Sequence, residues 1–243
     1  MDIEDHKLLG NFGKSYWWFL GKRNLIDCLL SEIPRKRKRL KILDIGCGTG
    51  EDLPLISKYG DVFALEYSKE VIKYIPKEKV VGIVRGDARF LSFKENVFDI
   101  IIILDVLEHV KEDVKIMKEV SRVLKLDGIL LISVPAVPFL FGNHDRALHH
   151  LRRYSKKSLN KILKDSGLKA ERITYWNFFL FFPIAFVRIL NKIKNVEKKS
   201  DIKNLPKAFN WFFLLILNLE NKLIKFGINL PIGLSLVVIL KKR

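Results

Sequence analysis

The stretch Asp44-Ile45-Gly46-Cys47-Gly48-Thr49-Gly50 sets an acidic residue just before three glycines spaced two apart. Such glycines let a ligand approach the backbone closely. A dinucleotide-binding turn would need its third glycine at position 51, where Glu51 stands. A negative side chain at a helix start disfavours a pyrophosphate. No Gly-Lys-Ser/Thr follows, so the stretch is not a phosphate loop either. Further along lie two more carboxylates, Glu66 and Asp87. Asp44 suits hydrogen bonds from a cationic or amino-bearing group, Glu66 the two hydroxyls of a ribose, and Asp87 an exocyclic purine amine.

Those carboxylates act together only if neighbouring strands end at them. The hydropathy pattern predicts strands at Lys41–Ile45, Asp61–Leu65, Val80–Val84, Phe98–Leu104 and Gly128–Val134. It predicts helices at Glu51–Lys58, at Ser68–Tyr74 with Ser68 as N-cap, and at Lys111–Lys125. The last would bury Val114, Met117, Val120, Val123 and Leu124. Phe98–Leu104 is apolar nearly throughout, as a parallel strand covered on both faces should be. Alternation of this kind predicts an α/β protein with an open parallel sheet. Three carboxylates at three strand ends, with no basic phosphate clamp, describe a phosphate-free nucleoside with a cationic amino-acid tail. S-adenosylmethionine is that ligand.

The matching stretches Leu43–Gly50, Val62–Glu66, Gly86-Asp87-Ala88, Phe98–Val110 and Leu124–Pro135 occur in the order found in the class I S-adenosylmethionine-dependent methyltransferases, which the chain resembles over about 41–135. The resemblance is to the type 11-like methyltransferase domain. It implies a Rossmann-like, mostly parallel sheet of seven strands with the last antiparallel. Leu168–Tyr175 fits the sixth strand and Leu234–Leu240 the seventh. It also implies that Asp44, Gly46, Gly48 and Gly50, with Cys47, line the methionine part of the cofactor. Glu66 with Tyr67 would bind the ribose, Asp87 and Ala88 the adenine, and Leu104 and Asp105 would lie beside the methyl group. A non-catalytic S-adenosylmethionine-binding module is the alternative to an enzyme.

Residues 1–40 carry a predicted helix, Tyr16–Ile33, rich in aromatics and ended by Pro34; the basic run Arg35–Arg39 follows. Tyr16–Arg23 would form a lid over the cofactor or pack into the core. The cofactor-binding core spans 41–135 and a substrate side spans 136–243, all within one methyltransferase domain. A helical insertion at about 176–230 holds the apolar runs Trp176–Leu190 and Phe209–Phe226. Their charge-free stretches fall short of the about 20 residues a membrane span needs.

Acceptor chemistry is less legible. Methyl transfer is a displacement that needs a general base only where the acceptor must lose a proton. His109, in Asp105-Val106-Leu107-Glu108-His109, is the candidate base, unless Glu108-His109 only orients the loop. His144–Tyr154 follows the fifth strand, where α/β sheets place substrate loops. Its His144, Arg146, His149, Arg152, Arg153 and Tyr154, together with Tyr16, Trp17 and Arg23, are the expected substrate residues. Ser155–Ser166 would be a helix stopped by Gly167. No cysteine or carboxylate triad in that stretch completes a metal site, so none is expected.

Charge divides the 243 residues unevenly. Residues 1–134 hold 23 Lys/Arg and 21 Asp/Glu, and residues 135–243 hold 21 and 6, so +15 of the net +17 lies in the second part. Such asymmetry points to a polyanion. The aromatics sit in dense aliphatic runs such as Trp211–Leu217, which suit lipid better than base stacking. Trp176, Phe178, Phe179, Phe181, Phe182, Trp211, Phe212 and Phe213 would then face apolar chains, and Lys192, Lys194, Lys198, Lys199, Lys203 and Lys207 anionic headgroups. The expected acceptor is hydrophobic or lipid-linked: a quinone-like ring, an isoprenoid or a lipid-borne glycan. An RNA acceptor is the less favoured reading, and an internal cap or dimer face the plainest. The acidic start Met1–Asp5 predicts no secretory signal, and two cysteines suggest a reducing compartment. A cytoplasmic enzyme, peripheral to a membrane, is the expectation.

Overall fold

Apolar side chains alternate along the central strands and feed two cores, one on each face of a single sheet. The computed structural model describes residues 12–34, 39–164, 166–193 and 205–243. Its strands are β1 (Leu40–Ile45), β2 (Gly60–Glu66), β3 (Gly82–Arg85), β4 (Phe98–Leu104), β5 (Leu124–Pro135), β6 (Leu168–Trp176) and β7 (Ser235–Lys242). The helices are α1 (Trp17–Glu32), α2 (Leu53–Ile56), α3 (Asp113–Val123), α4 (Asn143–Ala147), α5 (Lys156–Leu163), α6 (Phe181–Ile193) and α7 (Lys207–Lys225).

The strand order is β3–β2–β1–β4–β5–β7–β6. Strands β1 to β5 pair in parallel, and β7 runs antiparallel between β5 and β6. The chain winds outward from β1 in both directions, so a crevice opens beyond the carboxyl ends of β1 and β4. One core joins Leu43, Ile45, Ile101, Ile103, Leu236 and Val238 to the buried faces of α3 and α5. The opposite core joins Leu40, Ile42, Ile100 and Ile102 to α1, α2 and α7.

Local chemistry moves several boundaries. The expected helix Ser68–Tyr74 is a 3-10 turn at Val71–Tyr74, because Pro76 forces Ile75 into extended geometry. Glu70, not Ser68, stands at its N-cap, although the Ser68 hydroxyl accepts the Val71 N–H at 3.3 Å. The helix expected at Glu51–Lys58 shrinks to Leu53–Ile56, with Pro54 in its first turn. Val114 is exposed, and Ile116 joins Met117, Val120 and Val123 on the buried face of α3. Leu124 opens β5 instead of closing that helix.

The insertion is also more internal than expected. Trp176 ends β6 and is fully buried, Phe181 is buried at the start of α6, and Phe213 packs partly against Trp17. These three therefore do not face a surrounding apolar phase. Helix α7 lies along α1 so closely that a Cβ on Gly21 would stand 2.3 Å from the Leu217 side chain. Asparagines of α7 fasten the pair. Asn210 accepts the Trp17 N–H, Asn218 accepts from Asn24, and Asn221 donates to the Gly21 carbonyl, each at 2.8 Å. Asn221 also accepts the Trp176 indole N–H at 2.8 Å, tying α7 to the sheet. Phe179, Phe182, Trp211 and Phe212 do remain exposed. Among the described residues no helix is long and apolar enough to cross a membrane. Arg35–Lys38, Lys194, Lys198, Lys199, Lys203 and the acidic start lie outside the described residues.

Candidate active site

The glycine turn joins β1 to α2 and is hung from β2. The Gly46 and Cys47 N–H groups donate to the Leu65 carbonyl at 2.8 and 3.3 Å. Gly46 has φ 73°, and a Cβ there would meet Val106 at 2.4 Å, so only glycine fits. Glu66 ends β2 nearly buried. Its two oxygens accept the Gly48 N–H at 3.0 Å and the Ser68 N–H at 2.9 Å. One carboxylate thus fixes both loops that flank the crevice. Asp44 is buried beneath the turn, and burial, then the Asp52 and Glu66 charges, push its carboxyl up to about 8. Burial likewise pushes the Cys47 thiol far up, so it is no nucleophile.

A cavity of about 620 Å³ begins at this turn. Gly46, Cys47, Gly48, Leu104, Asp105 and Glu108 form its floor, and Tyr16, Trp17, Trp18 and Phe19 of the α1 region form one wall. Leu180, Ile184 and Val187, from the start of α6 and the turn before it, close the other side. The residues suit a cationic, phosphate-free ligand: positive-φ glycines open the backbone, and of the lining cations Lys22, Arg23 and Arg153 are each paired with a carboxylate, Asp105, Asp52 and Asp145. Asp105 follows β4 at φ 53°. It is paired with Lys22 and accepts from the Ser133 hydroxyl at 3.2 Å. Lys22 is buried against the paired rings of Trp18 and Trp176, 5.3 and 5.7 Å from their centroids.

Asp44, Glu66 and the remaining expected cofactor residues flank the cavity instead of lining it. Tyr67 is exposed, and Ala88 packs into the core beside Leu65. Asp87 is held by Arg89, which donates its backbone N–H at 2.9 Å and its guanidinium at 2.7 Å; those bonds hold the carboxyl below its ordinary range. Gly50 closes the turn, donating to the Cys47 carbonyl at 3.0 Å.

The expected substrate residues divide. Tyr16, Trp17, Arg23, His109, His144 and Arg153 line the cavity. Arg23 is engaged, donating to Asp52 at 2.9 Å and to the Gly13 carbonyl at 3.2 Å. Arg152 bridges Asp113 and the Lys111 carbonyl. Buried Arg153 donates to Asp145 at 2.8 Å and the Ala136 carbonyl at 3.0 Å. The buried Tyr154 hydroxyl reaches Asp113 at 2.9 Å and the Leu107 carbonyl at 3.1 Å. Arg152 and Tyr154 brace the loop after β4 against the loop after β5, and Arg153 fastens the β5 loop to itself. Arg146 is exposed beside Asn143, and His149 is exposed at φ 58°.

The sequence assigns no role to Asp145, His150 or Lys22, and to Glu108 only that of orienting the loop with His109. Asp145 is fully buried; burial opposes its charge, but His150 and Arg153 hold its carboxyl well below the usual range. Glu108 is fully buried too. Burial first, and then the Asp105 charge, push its carboxyl well above the ordinary value. Burial and then the His150 charge lower the His109 imidazole to about 4, so it is neutral near pH 7 and a weak base. An aspartate eight residues before the Arg153-Tyr154 pair was the available signal for the bracing loop.

The fold and this crevice define a class I S-adenosylmethionine-dependent methyltransferase, and the chain belongs to that family. Residues 43–132 match the family model described as a methyltransferase domain. The chain is 31% identical over 191 residues to an uncharacterized protein of Methanocaldococcus jannaschii, a match covering 76% of this chain and 79% of the relative. It is also 31% identical over 152 residues to a demethylmenaquinone methyltransferase of Staphylococcus aureus, covering 56% of this chain and only 61% of the relative. A solved SAM-dependent methyltransferase of Archaeoglobus fulgidus superposes with a TM-score of 0.58 at 19% identity, covering 90% of this chain and 94% of that one.

Proposed function

We propose that the chain transfers the methyl group of S-adenosylmethionine to a hydrophobic or lipid-linked acceptor, at the cytoplasmic face of an anionic membrane. The cavity carries this reading. Its aromatic and aliphatic walls come from the α1 region and from the start of α6, while its floor holds the carboxylates. Pockets of this volume take drug-sized ligands through apolar walls and a few placed polar groups. Trp17 lines it with a buried indole N–H that has no hydrogen-bond partner, a donor for an acceptor oxygen. Outside, Phe182 and Phe186 of α6 and Trp211 and Phe212 of α7 are exposed. The quinone-type relative supports a ring-bearing acceptor.

When bound, S-adenosylmethionine supplies a methyl group on a sulfonium that leaves as a neutral thioether. Glu66 is pre-set by two backbone N–H groups for the ribose hydroxyls. Asp44 ionises when a cation comes near, because its charged form is otherwise unpaired. Asp105, anchored by Lys22 and Ser133, stands on the cavity floor as a fixed negative group. The aromatic wall excludes water and aligns the acceptor, which is the larger part of catalysis for such a displacement.

Incubating the protein with labelled S-adenosylmethionine and separate lipid, aqueous and RNA fractions of a cell extract tests the acceptor. Label should enter the lipid fraction; label in RNA alone would overturn the reading. Flotation with anionic vesicles should carry the wild type at low salt and lose Trp211→Asp/Phe212→Asp at unchanged thermal stability; a wild type that stays behind refutes the membrane face.

A further inference from the structure

Both carboxylate oxygens of Glu108 are buried without a hydrogen-bond partner. An unpartnered buried carboxylate is costly unless a cation or proton completes it. The near cations are committed elsewhere: Lys22 to Asp105, Arg153 to Asp145 and the Ala136 carbonyl. Facing Glu108 across the cavity edge are two imidazoles, His109 and His150, whose rings meet edge to face with centroids 4.9 Å apart. The ligand atoms of Glu108, His109 and His150 all lie within 4.8 Å of one another. His150 Nε2 stands 3.9 Å from Glu108 Oε1. That gap is too long for a hydrogen bond; tetrahedral ligands at ~2.0–2.1 Å from one ion stand about 3.4 Å apart, so the side chains would close by a fraction of an ångström or more on an ion.

The surrounding contacts orient the set. His150 Nδ1 is bonded to Asp145 at 3.0 Å, which leaves Nε2 as the coordinating nitrogen. Asp145 is held in turn by Arg153 and by the Gly142 N–H at 3.0 Å. A carboxylate behind a histidine is the arrangement that fixes tautomer and ring plane in metal sites. All three ligands line the cavity that Asp105 also lines.

We propose that Glu108, His109 and His150 bind one divalent transition-metal ion of the zinc class, with an open coordination position toward the cavity. Two nitrogens and one carboxylate oxygen suit zinc or its neighbours in the first row and are a poor match for magnesium or calcium. That the open position receives an oxygen of the methyl acceptor rests on the methyltransferase reading; the ion site itself does not.

Protein stripped with a chelator is titrated with Co(II), followed by its visible absorption, and Zn(II) is added to displace it. One equivalent of Co(II), displaced by Zn(II), is expected. Asp145→Asn should weaken binding about 10–100-fold, and His150→Ala and Glu108→Gln by more, while His149→Ala leaves it unchanged. Circular dichroism confirms that each variant is folded. Substoichiometric binding, or full affinity in folded His150→Ala and Glu108→Gln, overturns the site. Calorimetry with S-adenosylmethionine alone runs in parallel. Ion binding without cofactor binding would sink the methyltransferase reading and keep the ion site, and the reverse would sink only the ion site.

Discussion

The two loops that face each other across the crevice are held by opposite means. On the β1–β2 side, backbone geometry and a single carboxylate do the work: glycines at positive φ, and Glu66 collecting two N–H groups. On the β4–β5 side, side chains do it. Asp113 collects Arg152 and Tyr154, and Asp145 collects Arg153, His150 and the Gly142 N–H. The first arrangement leaves the backbone of Gly46, Cys47 and Gly48 facing the cavity. The second consumes its charges internally, so basic residues that look like a substrate grip are structural braces. Charge in a sequence thus says little about which partner it meets until burial is known.

The contrast can be broken most severely at Arg153. Arg153→Ala leaves Asp145 buried without its cation and should cost about 3–5 kcal/mol of stability in chemical denaturation; a loss under about 1 kcal/mol would show that the brace is only a surface pair. Next is Gly46→Ala, which drives a methyl against Val106 at φ 73°. A penalty of about 1–3 kcal/mol is expected, with S-adenosylmethionine affinity lost further than stability, because the turn itself moves.

A smaller effect follows from Asp44. Its folded value of about 8 lies above the ordinary 3.8, so the fold disfavours the carboxylate. Stability from this group is therefore full below the unfolded value and declines as pH rises toward about 8. Binding of a cationic ligand has the opposite sign, since it needs the ionised form. Affinity should rise about tenfold per pH unit below that value and level off above it. A flat profile would mean that Asp44 never meets the ligand's charge. Smallest is Tyr154→Phe, which removes one hydroxyl from Asp113 and should cost about 1 kcal/mol with cofactor affinity unchanged.

Sequence carried the β1–β5 half well for a physical reason. Parallel strands buried on both faces read as apolar runs, and the turns between them need glycine or a cap at fixed places. Thus Phe98–Leu104 and Gly46 could be placed directly, whereas Val114 was set on the wrong side of its helix. The β5–β7 half was less legible because its contacts join distant segments. Nothing local shows that Asn221 reaches Gly21, that Trp176 is enclosed, or that Glu108 and His109 stand beside His150. No metal was expected from His144–Tyr154, since Glu108 and His109, which stand beside His150, lie on the loop after β4.

Titration calorimetry of S-adenosylmethionine into the wild type and into folded Glu66→Ala tests the cofactor crevice most directly. The wild type should bind one equivalent, and Glu66→Ala, which strips the acceptor from the Gly48 and Ser68 N–H groups, should bind at least about tenfold more weakly. Equal affinity in the two proteins would contradict a cofactor held at the end of β2.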